Sequence, residues 1–132
     1  MNWTHFALAT LAAGIAGSFT DWFFTGILFH DKYVAYPEVW RKRTSEGSTI
    51  AWATLLGFVT AASFMAACVV FEIHGYSRAF LFAAICWIMA PLPFTIMNAL
   101  YIKLHPLVAV AHALGWLARL IVAAIAAGWL LN

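Results

Sequence analysis

Apolar residues run along this chain in four long stretches, and the polar residues collect between them. A helix needs about 20 mostly apolar residues, rising 1.5 Å each, to cross the hydrocarbon core of a bilayer. The stretches 3–29, 49–72, 79–102 and 106–131 each meet that requirement. None shows the period-two alternation of a membrane barrel strand. The pattern predicts an all-α fold: one domain, residues 1–132, built as a membrane-spanning four-helix bundle.

The interruptions carry local signals. Residues 30–48 hold most of the charge, and 72–78 form a short polar turn. Lys103, Leu104 and His105 end the third stretch, and Pro106 suits the first turn of the next helix. Pro91 and Pro93 fall inside the third stretch, where each removes a backbone donor, so a bend near Pro91 is expected.

Composition strengthens this picture. Of 132 residues, 65% are hydrophobic and 9% charged, with mean hydropathy +0.90. Soluble domains carry about 25% charged residues. So few charges cannot cover a water-facing surface, and the expected solvent is the lipid bilayer. The net charge of +2 is small, and the basic residues cluster between Lys32 and Arg43, which excludes a nucleic-acid footprint. Cys68 and Cys86 lie in apolar runs and read as small buried hydrophobes. Residues 7–13 resemble a signal-peptide core, but no Lys or Arg precedes them and the run continues far beyond one, so a retained first helix is expected.

Charge also predicts orientation. Lys32, Arg41, Lys42, Arg43 and Lys103 fall on one side, and Arg78 on the other. Positive residues favour the cytoplasmic side. The 30–48 loop is therefore expected in the cytoplasm of a bacterial cell, with both termini periplasmic or exterior. Within that loop, Trp40, Arg41, Lys42 and Arg43 form an aromatic and basic segment suited to the lipid interface. Such a segment reads as a topological anchor, or as a lid or a docking element for a cytoplasmic or membrane partner.

Few polar groups remain at depth. Arg119 stands mid-way along the fourth stretch, and seven-residue steps back reach His112 and His105 on the same face. Asp21 lies on the first stretch, on a small and polar stripe with Thr10, Gly14, Ser18 and Thr25. Counted from the loop side, Asp21 is about 14 Å deep and Arg119 about 21 Å. Helical side chains lean toward their own N-terminus, so these two converge, and an Asp21–Arg119 pair is expected. Asn98, with Thr95 and Pro91, lies on one face of the third helix and could complete a polar cavity, or equally only hydrogen-bond a carbonyl freed by the prolines. Two readings stand together. The stripe is a proton or ion pathway with His112 and His105 as relays, or the pair only fixes helix register.

His5, Glu72 and His74 form a further cluster at the outer face, near Arg78. Two histidines and a carboxylate are a possible transition-metal set, but the helical spacing of a metal site is absent, and no metal or cofactor is expected. No nucleophile arrangement, phosphate loop or carboxylate pair points to an enzyme.

The stretches Asp21-Trp-Phe-Phe-Thr-Gly-Ile-Leu-Phe29, followed by Trp40, and Ala111-His-Ala-Leu-Gly-Trp-Leu-Ala-Arg119 onward to Trp129 resemble a bacterial family of small four-helix inner-membrane proteins classed only as a domain of unknown function. The resemblance spans nearly the whole chain and implies the same architecture; it carries no activity. Asp21 and Arg119 depart from the family pattern. The functional expectation is proton-linked transport, or a channel, for a small solute or ion, in a chain that could act as a homo-oligomer. The alternatives are a non-catalytic accessory subunit and a histidine-based metal or cofactor binder.

Overall fold

The computed structural model describes residues 2–40 and 45–131, and every regular element among them is helical. The first, α1, covers Trp3–Trp22, capped by the Asn2 side chain, which accepts from the Thr4 and His5 amides. The chain then continues in a wider π turn, Phe23–Leu28, closed by the Phe29 amide donating to the Phe24 carbonyl at 3.0 Å. Gly26 gives that turn room, since a Cβ there would press on the Trp22 indole. A short α2 (His30–Tyr33) and a 3-10 turn (Pro37–Val39) precede α3 (Glu46–Val70).

Gly75–Met89 forms α4, Pro91–Tyr101 forms α5 and Pro106–Leu130 forms α6. The third apolar stretch is thus two helices, broken at Ala90 as the prolines predict. The turn between α3 and α4 enters the left-handed region at Glu72 and again at Gly75, a conformation that only glycine adopts at little cost. Four segments, Trp3–Leu28, Gly47–Val70, Gly75–Tyr101 and Pro106–Leu130, are long and apolar enough to cross a membrane. The chain is a four-helix, multi-pass membrane protein.

Its packing inverts the soluble rule. The core is mostly alanine, including Ala9, Ala13, Ala61, Ala83, Ala124 and Ala127, around Met65 and Cys68. Large side chains such as Trp3, Leu100, Ile88 and Phe94 face outward. Lipid rewards that choice: tails solvate large apolar groups, while small residues let helix backbones approach and gain dispersion contacts. The broadest contacts join α6 to α1 and to α4, so α6 is the centre of the bundle; α3 leans on α1. The Trp87 indole of α4 donates to the Ala113 carbonyl of α6 at 2.8 Å, a polar tie across the α4–α6 seam.

The buried face of α1 is Ala9, Ala13, Gly14 and Gly17. The expected stripe of Thr10, Gly14, Ser18 and Thr25 is rotated from it. Ser18 and Thr25 hydroxyls bond back to the Gly14 and Asp21 carbonyls, at 2.9 and 2.8 Å, and need no partner on another helix.

Candidate functional site

Arg119 lies half-way along α6, where its long stem must cross the bundle. Two glycines from different helices leave the slot it occupies. A Cβ added at Gly17 of α1 would come within 3.1 Å of the Arg119 Cγ, and one at Gly57 of α3 within 2.5 Å of its Nη1. The guanidinium carbon lies 5.7 Å from the Trp116 ring centroid, within cation–π range. At the end of the slot, Arg119 Nη2 donates to Asp21 Oδ2. The contact expected from depth and side-chain lean is present.

The pair is asymmetric. The Arg119 side chain is 9% exposed and that of Asp21 44%. The guanidinium is held in packed protein, while the carboxylate faces a cavity of about 940 Å³. Tyr33, Thr60, His112 and Trp116 also line that cavity. Beyond Arg119, toward the far end of the bundle, the packed group of Ala13, Ala61, Phe64, Met65 and Ala124 fills the interior.

The segment after the π turn lies over the cavity at the loop side. The Tyr33 ring stacks between Trp40 and His112, each centroid 5.5 Å away and each ring pair inclined by 26°. The Trp40 indole donates to the Tyr33 carbonyl at 2.5 Å. The Tyr33 hydroxyl is buried and finds no hydrogen-bond partner among the described residues. Burial pushes its pKa upward and the Asp21 charge adds to the rise, so it stays an O–H group at neutral pH.

Glu38 in the same segment bonds Lys103, before α6, at 2.7 Å, and the Lys103 ammonium lies 5.0 Å from the Tyr36 ring centroid. The hydrogen bond from Lys103 lowers the Glu38 pKa, and the same bond raises that of Lys103. The bridge therefore contributes above the ordinary carboxylate range and is lost as pH falls through the lowered Glu38 value. At the alkaline end it contributes below the ordinary lysine value and is lost as pH rises through the raised one. Side-chain carboxyl NMR checks this: Glu38 should titrate below an ordinary glutamate and return to the ordinary range in Lys103→Gln.

The remaining expected site residues separate. His105 is outside the cavity lining; its Nδ1 accepts from the Leu107 amide at 3.2 Å and caps α6, so only His112 of the two histidines lies in the cavity wall. Asn98 and Thr95 line a second cavity of about 270 Å³, which shares Trp40 and His112 with the first. Asn98 thus lies across an aromatic wall from Asp21. His5, Glu72 and His74 line a pocket of about 290 Å³ at the opposite end, yet no three His, Cys, Asp or Glu side chains among the described residues are grouped to hold a metal. Arg41, Lys42 and Arg43 lie outside the described residues.

Sequence reasoning missed Tyr33, Gly17 and Gly57 as parts of the site. Tyr33 lies in a polar loop without periodicity, and glycines on a membrane helix announce close packing without naming what they accommodate. No family model, no curated protein and no solved structure matches the chain.

Proposed function

We propose that this chain binds a small solute or ion in the Asp21 cavity and moves it across the membrane with a proton, Asp21 being the group that exchanges the proton. One observation carries the reading: in an ion pair between two helices long and apolar enough to span a membrane, the carboxylate faces a cavity instead of closing into packed protein. Charges at that depth cost a few kcal/mol on insertion scales and are usually found where a substrate or ion path needs them. Arg119, whose guanidinium stays protonated, offsets the carboxylate charge when Asp21 is ionised. His112, in the cavity wall, is a second group suited to proton exchange. A bacterial inner membrane, with the 30–40 segment cytoplasmic, belongs to this proposal through the positive-inside bias.

The packed alanine core beyond Arg119 favours one rival. If it never opens, the cavity has a single mouth and the chain is an accessory subunit whose ion pair sets helix register.

Flux in proteoliposomes separates the two. The expected result is pH-gradient-driven proton or ion movement by the native chain that is abolished in Asp21→Asn, with helical content unchanged. No flux from the folded native chain would move the assignment to the accessory subunit.

A further inference from the structure

The segment 30–40 does more than connect two spans. His30, Tyr33, Val34 and Trp40 all line the cavity that holds Asp21, so this stretch walls its loop side, although the cavity is open elsewhere along the bundle. Trp40 and His112 also line the neighbouring cavity, which makes the Trp40–Tyr33–His112 stack the partition between the two.

The cover is held by contacts of two kinds. Inside, the ring stack and the Trp40 indole bond fix its aromatic underside. Outside, the Glu38–Lys103 bridge ties it to the connection between α5 and α6, and both partners are exposed. Exposed pairs are weak and are screened by salt. The cover joins α1 through a π turn, a feature frequent at functional sites, and no side chain of that turn is buried. Helix pairs in the transmembrane core rest on close-packed alanine faces; among the described residues, this cover rests on three stacked rings, one indole bond, one solvent-facing bridge and the Lys103–Tyr36 cation–π contact.

We propose that residues 30–40 are a gating lid: release of the Trp40–Tyr33–His112 stack opens the Asp21 cavity to water on the loop side and joins it to the cavity lined by Asn98. The lid regulates access to the site assigned above and so rests on that reading for its purpose. Lid opening would also expose the Tyr33 hydroxyl, which has no hydrogen-bond partner among the described residues in the closed arrangement. The same motion would bring Asn98 and Thr95 to the polar site from which the rings now separate them.

Access can be read without any flux. Thr60 lines the Asp21 cavity, so Thr60→Cys places a thiol inside it. In proteoliposomes, a membrane-impermeant maleimide is added to the loop side, and the reactivity of native Cys68 and Cys86 is subtracted using the chain without the substitution. Slow labelling of the closed protein is expected. Trp40→Ala should raise the rate roughly ten-fold, the effect of losing one ring stack and its packing. Lys103→Glu, on the exposed surface, should raise it roughly two- to five-fold, and Glu38→Lys added to Lys103→Glu should reverse most of that rise by restoring the bridge, though not the contact of Lys103 with Tyr36.

Fast labelling of the parent that neither Trp40→Ala nor Lys103→Glu changes would overturn the lid. So would an increase in Lys103→Glu that the charge-swapped double variant fails to reverse. Lid-dependent labelling without Asp21-dependent flux would keep the lid and remove transport; flux with lid-independent labelling would do the reverse.

Discussion

Asp21→Asn is expected to destabilise the protein by about 3 kcal/mol, more than Arg119→Gln, at about 1–2 kcal/mol. The difference follows from which partner can escape. Without Asp21, the guanidinium remains charged, lies 9% exposed between Gly17 and Gly57, and has lost its carboxylate. Without Arg119, the half-exposed carboxylate can take a proton through the cavity and become neutral. The double variant Asp21→Asn/Arg119→Gln leaves no buried charge and should recover much of the loss, giving a coupling of about 1–3 kcal/mol. Unfolding titrations of the four proteins in mixed micelles provide the cycle. Equal losses from the two single variants, simply adding in the double, would mean that the charges do not interact.

Gly57→Ala is expected to cost about 1–3 kcal/mol, although alanine is the better helix former. The new Cβ would stand 2.5 Å from Arg119 Nη1, and the guanidinium is not free to retreat because Asp21 holds its other nitrogen. Moving it means loosening the pair. The penalty should therefore depend on Arg119: in an Arg119→Gln background the shorter side chain leaves the slot, and Gly57→Ala should become neutral or stabilising. Gly47→Ala is the internal control. It lies in the same helix, and an added methyl there would meet nothing within 4 Å, so it should lose no stability and gain up to about 1 kcal/mol. Thermal unfolding of the three variants tests the slot directly. A Gly57→Ala protein as stable as Gly47→Ala would show that the guanidinium is not confined.

The parts of this molecule governed by spacing along one chain were legible in its sequence. Four spans follow from the length of apolar runs, and the break at Ala90 from Pro91 and Pro93. Depth and side-chain lean brought Asp21 to Arg119, because both quantities are set by helix geometry alone. What was not legible turns on local hydrogen bonds within a helix and on how the 30–40 segment folds over its neighbours. His105 shares a face with His112 in helical projection, but it stands at the first turn, where the orphan amide of Leu107 claims its ring nitrogen. Asn98 was placed with Asp21 because both are polar and lie within spans; the ring stack that separates them is formed by Tyr33 and Trp40, whose positions depend on how the loop folds over α6. The packing face of α1 is rotated from the hydroxyl stripe because Ser18 and Thr25 bond to their own backbone and leave the close contacts to Ala9, Ala13, Gly14 and Gly17.

The proposed function depends on Asp21 exchanging its proton with water from inside the membrane. Infrared difference spectra of the reconstituted protein, taken as pH is lowered and compared with Asp21→Asn, isolate the carboxyl band of this one residue. The expected result is a protonated-carboxyl band that grows on acidification, shifts in heavy water and is missing from Asp21→Asn. Native and Asp21→Asn spectra that coincide across the pH range in which the protein stays folded would contradict it, leaving Asp21 and Arg119 as a fixed structural pair.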